Sequence, residues 1–376
     1  MLKRLTIHIL AVAMILPMLA GISLAGIVVH EEGDKKIEIG ARVQVQYHME
    51  DPDGGESSDE LFFRRLRPYI MGSVSKNWMA KVQFDVGKAS GDNEVAVKDA
   101  WMRYTGWDGL KLTIGNQKMP FSREALTSSK RQQLVERTFV GDHNYGTPDR
   151  MIGFRLDGAT GNKKVTWGIG VGAAELDPDE DKMDFDSGAN HGSDWNEGTL
   201  VAGRVDFHPF GNLKMGQGDF DRKKKLTVSV AAFTWSNDDD NNGSAESLDS
   251  ANGFEASFGF RAAGWSVDGE YQMISGDLVD SMMTAGLYVG GTTDLDKYAV
   301  EGGYMFRKDK FEIVAGYESL DADNYQEAWN RASVGMNYFW NKHMSKVQLT
   351  YRMGENLDGI TGADEDELFV QFQQVF

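Results

Sequence analysis

The sequence contains no cysteine and only 7 prolines among its 376 residues. Without cysteine there is no disulfide framework and no thiolate metal site, and a thiol-free chain cannot mispair in an oxidising compartment. Long apolar runs are also lacking. After the first 25 residues nothing approaches the 18 consecutive apolar residues of a transmembrane helix. A surplus of positive charge is missing as well: 57 acidic residues outnumber 39 basic ones, for a formal charge of −18. Such a bulk field repels nucleic acid, so no nucleic-acid partner is expected. No G-x-S-x-G, H-E-x-x-H or P-loop pattern occurs. His30, His48, His143, His191, His208 and His343 are scattered. Only His143 and His191, both in long loops, offer material for a hydrolytic site at an outer rim. No enzyme activity, cofactor or metal site is expected.

What is present begins with an export signal. Lys3 and Arg4 precede an apolar run from Leu5 to Leu19, and Ser23 and Ala25 supply small residues at signal-peptidase spacing. The run is too short, and too interrupted by Pro17, for a membrane anchor. Residues 1–25 therefore read as a signal peptide cleaved after Ala25, and 26–376 as one domain.

From about residue 37 onward the hydrophobic period is 2, the signature of strands. Trp78, Ala80, Val82, Phe84 and Val86 share one face, and Lys81, Gln83 and Asp85 the other. Trp265, Val267, Gly269, Tyr271 and Met273 likewise oppose Ser266, Asp268, Glu270 and Gln272. Roughly sixteen such segments follow one another, each about ten residues long, the length of a tilted strand crossing a bilayer. Short connections, such as 75–77, 106–108, 263–264 and 307–309, alternate with long ones, such as 118–148, 174–198 and 236–252. The connection 209–224 is unusually long for the short set. Aromatics that include Trp78, Trp107, Phe207, Trp235, Trp265 and Trp340 cluster at segment ends, as in an interfacial girdle.

The pattern predicts an all-β fold: a transmembrane antiparallel up-and-down β-barrel of about sixteen strands in a bacterial outer membrane. A soluble sandwich of this length would need two cores and would give no reason for the alternating loop lengths. An open sheet edge in lipid leaves backbone groups unsatisfied. The last strand is therefore expected to close against the first, near Ile37 to Tyr47. That last strand ends on Phe376 with alternate apolar positions. Such an ending resembles the signal read by the barrel-assembly machinery, which joins outer-membrane lipid and lipopolysaccharide as an expected partner.

Four stretches carry a family resemblance: "FFRRLRPYIMGSVSKNWMAKVQFDV" (62–86), "VKDAWMRYTG" (97–106), "LKLTIGNQKMPFSREALTSSKRQQLVER" (110–137) and "DRMIGFRLDG" (149–158). In order and spacing they resemble the phosphate-selective porin O and P family. The resemblance implies a homotrimeric, sixteen-stranded channel for small anionic solutes, phosphate or polyphosphate among them. It also implies that the "PFSREALTSSKRQQLVER" segment folds inward as a constriction loop.

The residues support part of this. The segment is too long for a turn, does not alternate, and carries Lys118, Arg123, Lys130, Arg131 and Arg137 against Glu124 and Glu136. On neighbouring strands Arg65, Arg67, Arg103 and Arg155 fall on the face away from lipid. Lipid-facing Arg would cost about 2–4 kcal/mol at the midplane. These nine cations are the candidate pore-lining, anion-binding residues; the bland alternative is that they pair with Asp85 and Asp99 to stiffen the wall. Glu255, Asp268, Glu270, Glu301, Glu312 and Glu318 take the same face in the C-terminal half. A wall basic on one side and acidic on the other would create a transverse field, so a general diffusion pore without anion selectivity stands beside the anion reading. A non-conducting receptor or adhesin barrel is a third possibility.

The stretch 238–249 has Asp238, Asp240, Asn242 and Gly243 at calcium-loop spacing, with Asp249 at the final ligand position. Its flanks read as strands, not helices, which favours a solvated acidic extracellular loop over a calcium site; weak divalent ions bridging such loops to lipopolysaccharide are a separate hypothesis, and 177–186, which lacks the Gly, is a weaker version.

Overall fold

Alternation at period 2 leaves each strand with one apolar and one polar face, and a closed cylinder satisfies both. In the computed structural model, which describes residues 26–87, 95–177, 182–186, 189, 198–237, 248–306 and 309–376, that cylinder forms. Its strands are β1 (Ile27–Glu32), β2 (Lys35–Pro52), β3 (Ser58–Ser75), β4 (Trp78–Asp85), β5 (Ala96–Tyr104), β6 (Leu110–Lys118), β7 (Arg150–Ala159) and β8 (Val165–Ala173). They continue through β9 (Glu175–Asp177), β10 (Asp184–Asp186), β11 (Thr199–Phe207), β12 (Lys225–Ser236), β13 (Leu248–Ala262) and β14 (Trp265–Leu278). The last five are β15 (Thr292–Phe306), β16 (Phe311–Ala322), β17 (Trp329–Asn341), β18 (Ser345–Glu355) and β19 (Glu365–Val375).

Sixteen of these, β2 to β8 and β11 to β19, pair antiparallel with their neighbours around the ring. β9 and β10 form a separate hairpin in a long loop. The barrel closes where β19 meets β2, from Val375↔Arg42 to Glu365↔Pro52. This is five residues further along than the expected start at Ile37. The first part of β2 is taken instead by β1, whose Ile27 pairs with Ile39. The start of β2 and the end of β19 share one rim with the short turns and the connection 208–224, and the other long connections join strands at the opposite rim.

The faces sort as the pattern requires. Along β14, Trp265 is 56% exposed on the outside while Ser266 and Gln272 are fully buried inside. Aromatic pairs ring the short-turn rim, among them Trp78–Tyr104, Tyr104–Trp107, Trp265–Tyr304 and Tyr338–Trp340, with centroids 4.8 to 5.0 Å apart. Trp235 corrects the girdle expectation. It points inward and is 2% exposed, packed near Phe185 in an apolar cluster with Phe121, Leu200 and Phe233.

That cluster reveals where the core of this barrel lies. It is inside the cylinder, between the wall of β8 and β11–β15 and the connection 119–149. Residues 1–25, expected to be a signal peptide, and residues 238–247 of the acidic loop lie outside the described residues.

Candidate functional site

The 119–149 connection begins after β6 and packs on glycines. Gly168, Gly170 and Gly172 form the inward row of β8. A Cβ on Gly170 would stand 2.9 Å from Met119 Sδ and 3.0 Å from Pro120 Cδ. A one-turn helix α1 (Arg123–Leu126) follows, capped by Ser122, whose hydroxyl accepts from the Ala125 N–H at 3.0 Å.

Polar side chains of the C-terminal half then hold the segment by its backbone and by its own side chains. The N–H of Glu124 donates to Glu270 at 2.8 Å, and that of Phe139 to Glu318 at 2.6 Å. Gln133 Nε2 donates to Ser266 at 2.7 Å and to Glu312 at 2.8 Å. Lys297 Nζ donates to the carbonyls of Phe139 and Tyr145, and Lys346 Nζ to that of Gln132 at 2.8 Å. Arg123 pairs with Asp268 at 3.0 Å, and Arg204 with Glu255 at 3.0 Å.

This arrangement answers the transverse-field expectation. Glu255, Asp268, Glu270, Glu301, Glu312 and Glu318 do face inward, but they are engaged by the segment, by one another's neighbours and by Arg204. None of them lines the large open space in the cylinder.

That space is a cavity of about 890 Å³ on the opposite side, between the segment and the N-terminal strands. Fifteen Lys and Arg line it against eight Asp and Glu, in a chain whose overall charge is −18. Of the nine cations singled out from the sequence, Arg65, Arg67, Arg103, Lys118, Lys130, Arg137 and Arg155 line it. Arg123 does not; its ion pair turns it to the opposite wall, where it borders a cavity of about 20 Å³. Arg131 does not either; its guanidinium donates to the Met215 carbonyl at 3.3 Å.

The lining cations fall into two groups. Arg67 with Asp85 at 2.5 Å, Lys81 with Asp99 at 2.5 Å, and Arg155 with Asp157 at 2.7 Å are paired. These fit the wall-stiffening role. Arg42 instead donates to Ser129 Oγ at 2.9 Å, Arg103 donates to Thr113 Oγ1 at 3.0 Å, and Arg137 binds backbone carbonyls. Arg103 also stacks over Trp101 at 4.3 Å. Burial, with Arg42 and Arg131 nearby, pushes the Lys130 amine down to about 8.

Eight of the fifteen lining cations were not singled out from the sequence, among them Arg42, Arg64, Lys81 and Arg150. Arg42 and Lys81 sat on the polar face of their strands and were legible there. Arg64 was not. A bulge pairs Gln44 with Arg65 but Val45 with Phe63, so Arg64 is unpaired and turns inward beside Arg65. It grips Glu136 with two bonds of 2.7 and 3.0 Å. Arg150 starts β7 and bridges Asp99 at 2.8 Å and Asp149 at 2.9 Å.

His48 lies between Glu367 at 3.0 Å and Glu50 at 3.6 Å. Its neighbour Arg352 also binds Glu367, at 3.2 Å. His143 pairs with Asp184 of β10 at 2.5 Å; burial lowers its pKa, but the Asp184 bond and the charge of Asp142 raise it to about 9 overall.

Solved structures share this architecture at low identity. An anion-selective porin from Comamonas acidovorans superposes with a TM-score of 0.61 at 11% identity, covering 91% of this chain and all of that one. The channel DcaP of Acinetobacter baumannii gives 0.61 at 12%, over 93% and 100%. OmpF of Salmonella typhi gives 0.59 at 14%, over 93% and 100%. These establish the porin barrel. In sequence, Porin O of Pseudomonas aeruginosa is 30% identical over 104 residues, which span 27% of this chain and 24% of the relative. The chain thus aligns with only about a quarter of that protein's length. The pattern of the phosphate-selective porin O and P family, by contrast, matches residues 37–367. The chain belongs to that family, as an outer-membrane channel-forming porin.

Proposed function

We propose that the chain is a passive, non-enzymatic pore whose permeant solutes are small anions, with phosphate and short polyphosphates as the favoured class. The observation that carries this reading is the basic cavity in an acidic protein. Rings of Arg and Lys in a confined, low-dielectric path attract anions and repel cations. The guanidinium fork adds bidentate geometry for phosphate oxygens that an ammonium lacks. With 119–149 filling the acidic side, the path is narrowed to the basic side, so the segment acts as the constriction. Arg42, Arg103 and Lys130, which have no carboxylate ion pair, are among the lining cations that can meet a solute. The paired cations hold their shape.

A phosphate titration of chloride current through single channels in planar bilayers tests this. Phosphate that occupies the path reduces the chloride current at submolar concentration. Chloride current indifferent to phosphate would remove phosphate from the proposal.

We further infer that residues 1–25 are removed on export, that Phe376 guides assembly by the barrel-assembly machinery, and that lipopolysaccharide contacts the long-loop rim. The trimer form of OmpT from Vibrio cholerae, alike in fold at a TM-score of 0.53, supports a homotrimer.

A further inference from the structure

The connection 208–224 joins β11 to β12 at the short-turn rim, yet it does not stay there. Leu213, Gln217 and Asp219 are buried. Asp219 accepts from the Gly264 N–H at 2.7 Å and from the Arg222 N–H at 2.9 Å. Phe220 packs edge-on against Phe339 and His343 with centroids 5.0 Å away.

From this base Gln217 reaches up to the lowest part of the 119–149 segment. Its side-chain oxygen accepts from the Gln133 N–H at 2.6 Å, and its Nε2 donates to Glu301 at 2.9 Å. Its own N–H donates to the Arg131 carbonyl at 3.0 Å. One residue therefore ties together two segments that enter the cylinder from opposite rims, and a carboxylate of the wall behind them. The void left there is only about 20 Å³, bordered by Gln217, Ala299, Glu301, Glu270, Asp268 and Arg123.

We propose that the 208–224 segment is the floor of the acidic half of the lumen, with Gln217 as the positioning residue that latches it. The floor prevents a second, cation-favouring path from opening along Asp268, Glu270 and Glu301. Ion preference then depends on a residue that no permeant anion touches. The ionic consequence rests on the anion reading above; the closure itself does not.

Because the chain has no cysteine, a single introduced thiol reports on this directly. Ala299→Cys is a small change at a buried position facing that void. It is made in the full-length protein, alone and together with either Gln217→Ala or replacement of 212–218 by a Gly-Ser linker. A cationic methanethiosulfonate reagent is added from the short-turn side of reconstituted bilayers. The thiol should be inert alone and should react at least about tenfold faster in both combined variants, with a larger cation share of the current. Equal reactivity with the latch intact and broken overturns the floor. Faster reaction with unchanged ion preference overturns its part in selectivity. If the parent protein carries no anion preference, the functional reading fails while the labelling contrast still decides the floor.

Discussion

The backbone N–H of Phe139 donates to the carboxylate of Glu318 at 2.6 Å, across 179 residues of sequence. It is one of several bonds in which an acid of the C-terminal wall is consumed in holding the inward segment. Glu318→Ala leaves a buried N–H without its acceptor, which costs about 1–3 kcal/mol. The expected outcome is a lower thermal unfolding midpoint and noisier single-channel current, while the anion preference survives. Heat-modifiability on gels together with bilayer recordings checks both.

Lys130 and Arg131 are neighbours in sequence but not in role. Lys130 lines the large cavity; Arg131 is turned to Met215. Lys130→Glu should therefore cut anion conductance by about threefold or more, and Arg131→Glu should change it far less. Paired conductance measurements in symmetric salt read the contrast.

The Lys130 amine, held near pKa 8 by burial and by Arg42 and Arg131, is charged below that pH and neutral above it. Anion conductance should accordingly be full at pH 6 and fall as pH rises through about 8. Lys130→Arg should flatten the profile, because a guanidinium stays protonated throughout.

Gly170 sits where Met119 and Pro120 press on β8. Gly170→Val puts branched carbons into contacts already at 2.9 and 3.0 Å, so the start of the inward segment must shift. The predicted result is altered unitary conductance with the barrel still assembled, measured by single-channel recording beside heat-modifiability.

Strand count, strand faces, the rim of each loop and seven cavity cations were legible, because lipid outside and water inside impose strict alternation. Arg64 was illegible because a single bulge residue reverses parity locally, which also explains why Phe62 lines the cavity while Leu61 and Phe63 meet lipid. Arg123 and the six C-terminal acids were placed on the correct face but given the wrong surroundings. Several of their partners are distant in sequence, Asp268 145 positions from Arg123 and Phe139 179 from Glu318, and period 2 says which face a side chain takes, not what fills the lumen opposite. Trp235 failed for the same reason: the apolar inner cluster it joins is completed by residues of long connections, Met119 and Phe121 from one and Met183 and Phe185 from another.

The central claim is that the open path is the basic one. The zero-current potential of the purified protein in a tenfold KCl gradient tests it most directly. A potential of the sign set by chloride, weakened by Lys130→Glu, is the predicted result. A potential of the sign set by potassium would contradict the account, because ions would then be moving along the acidic wall that the inward segment covers.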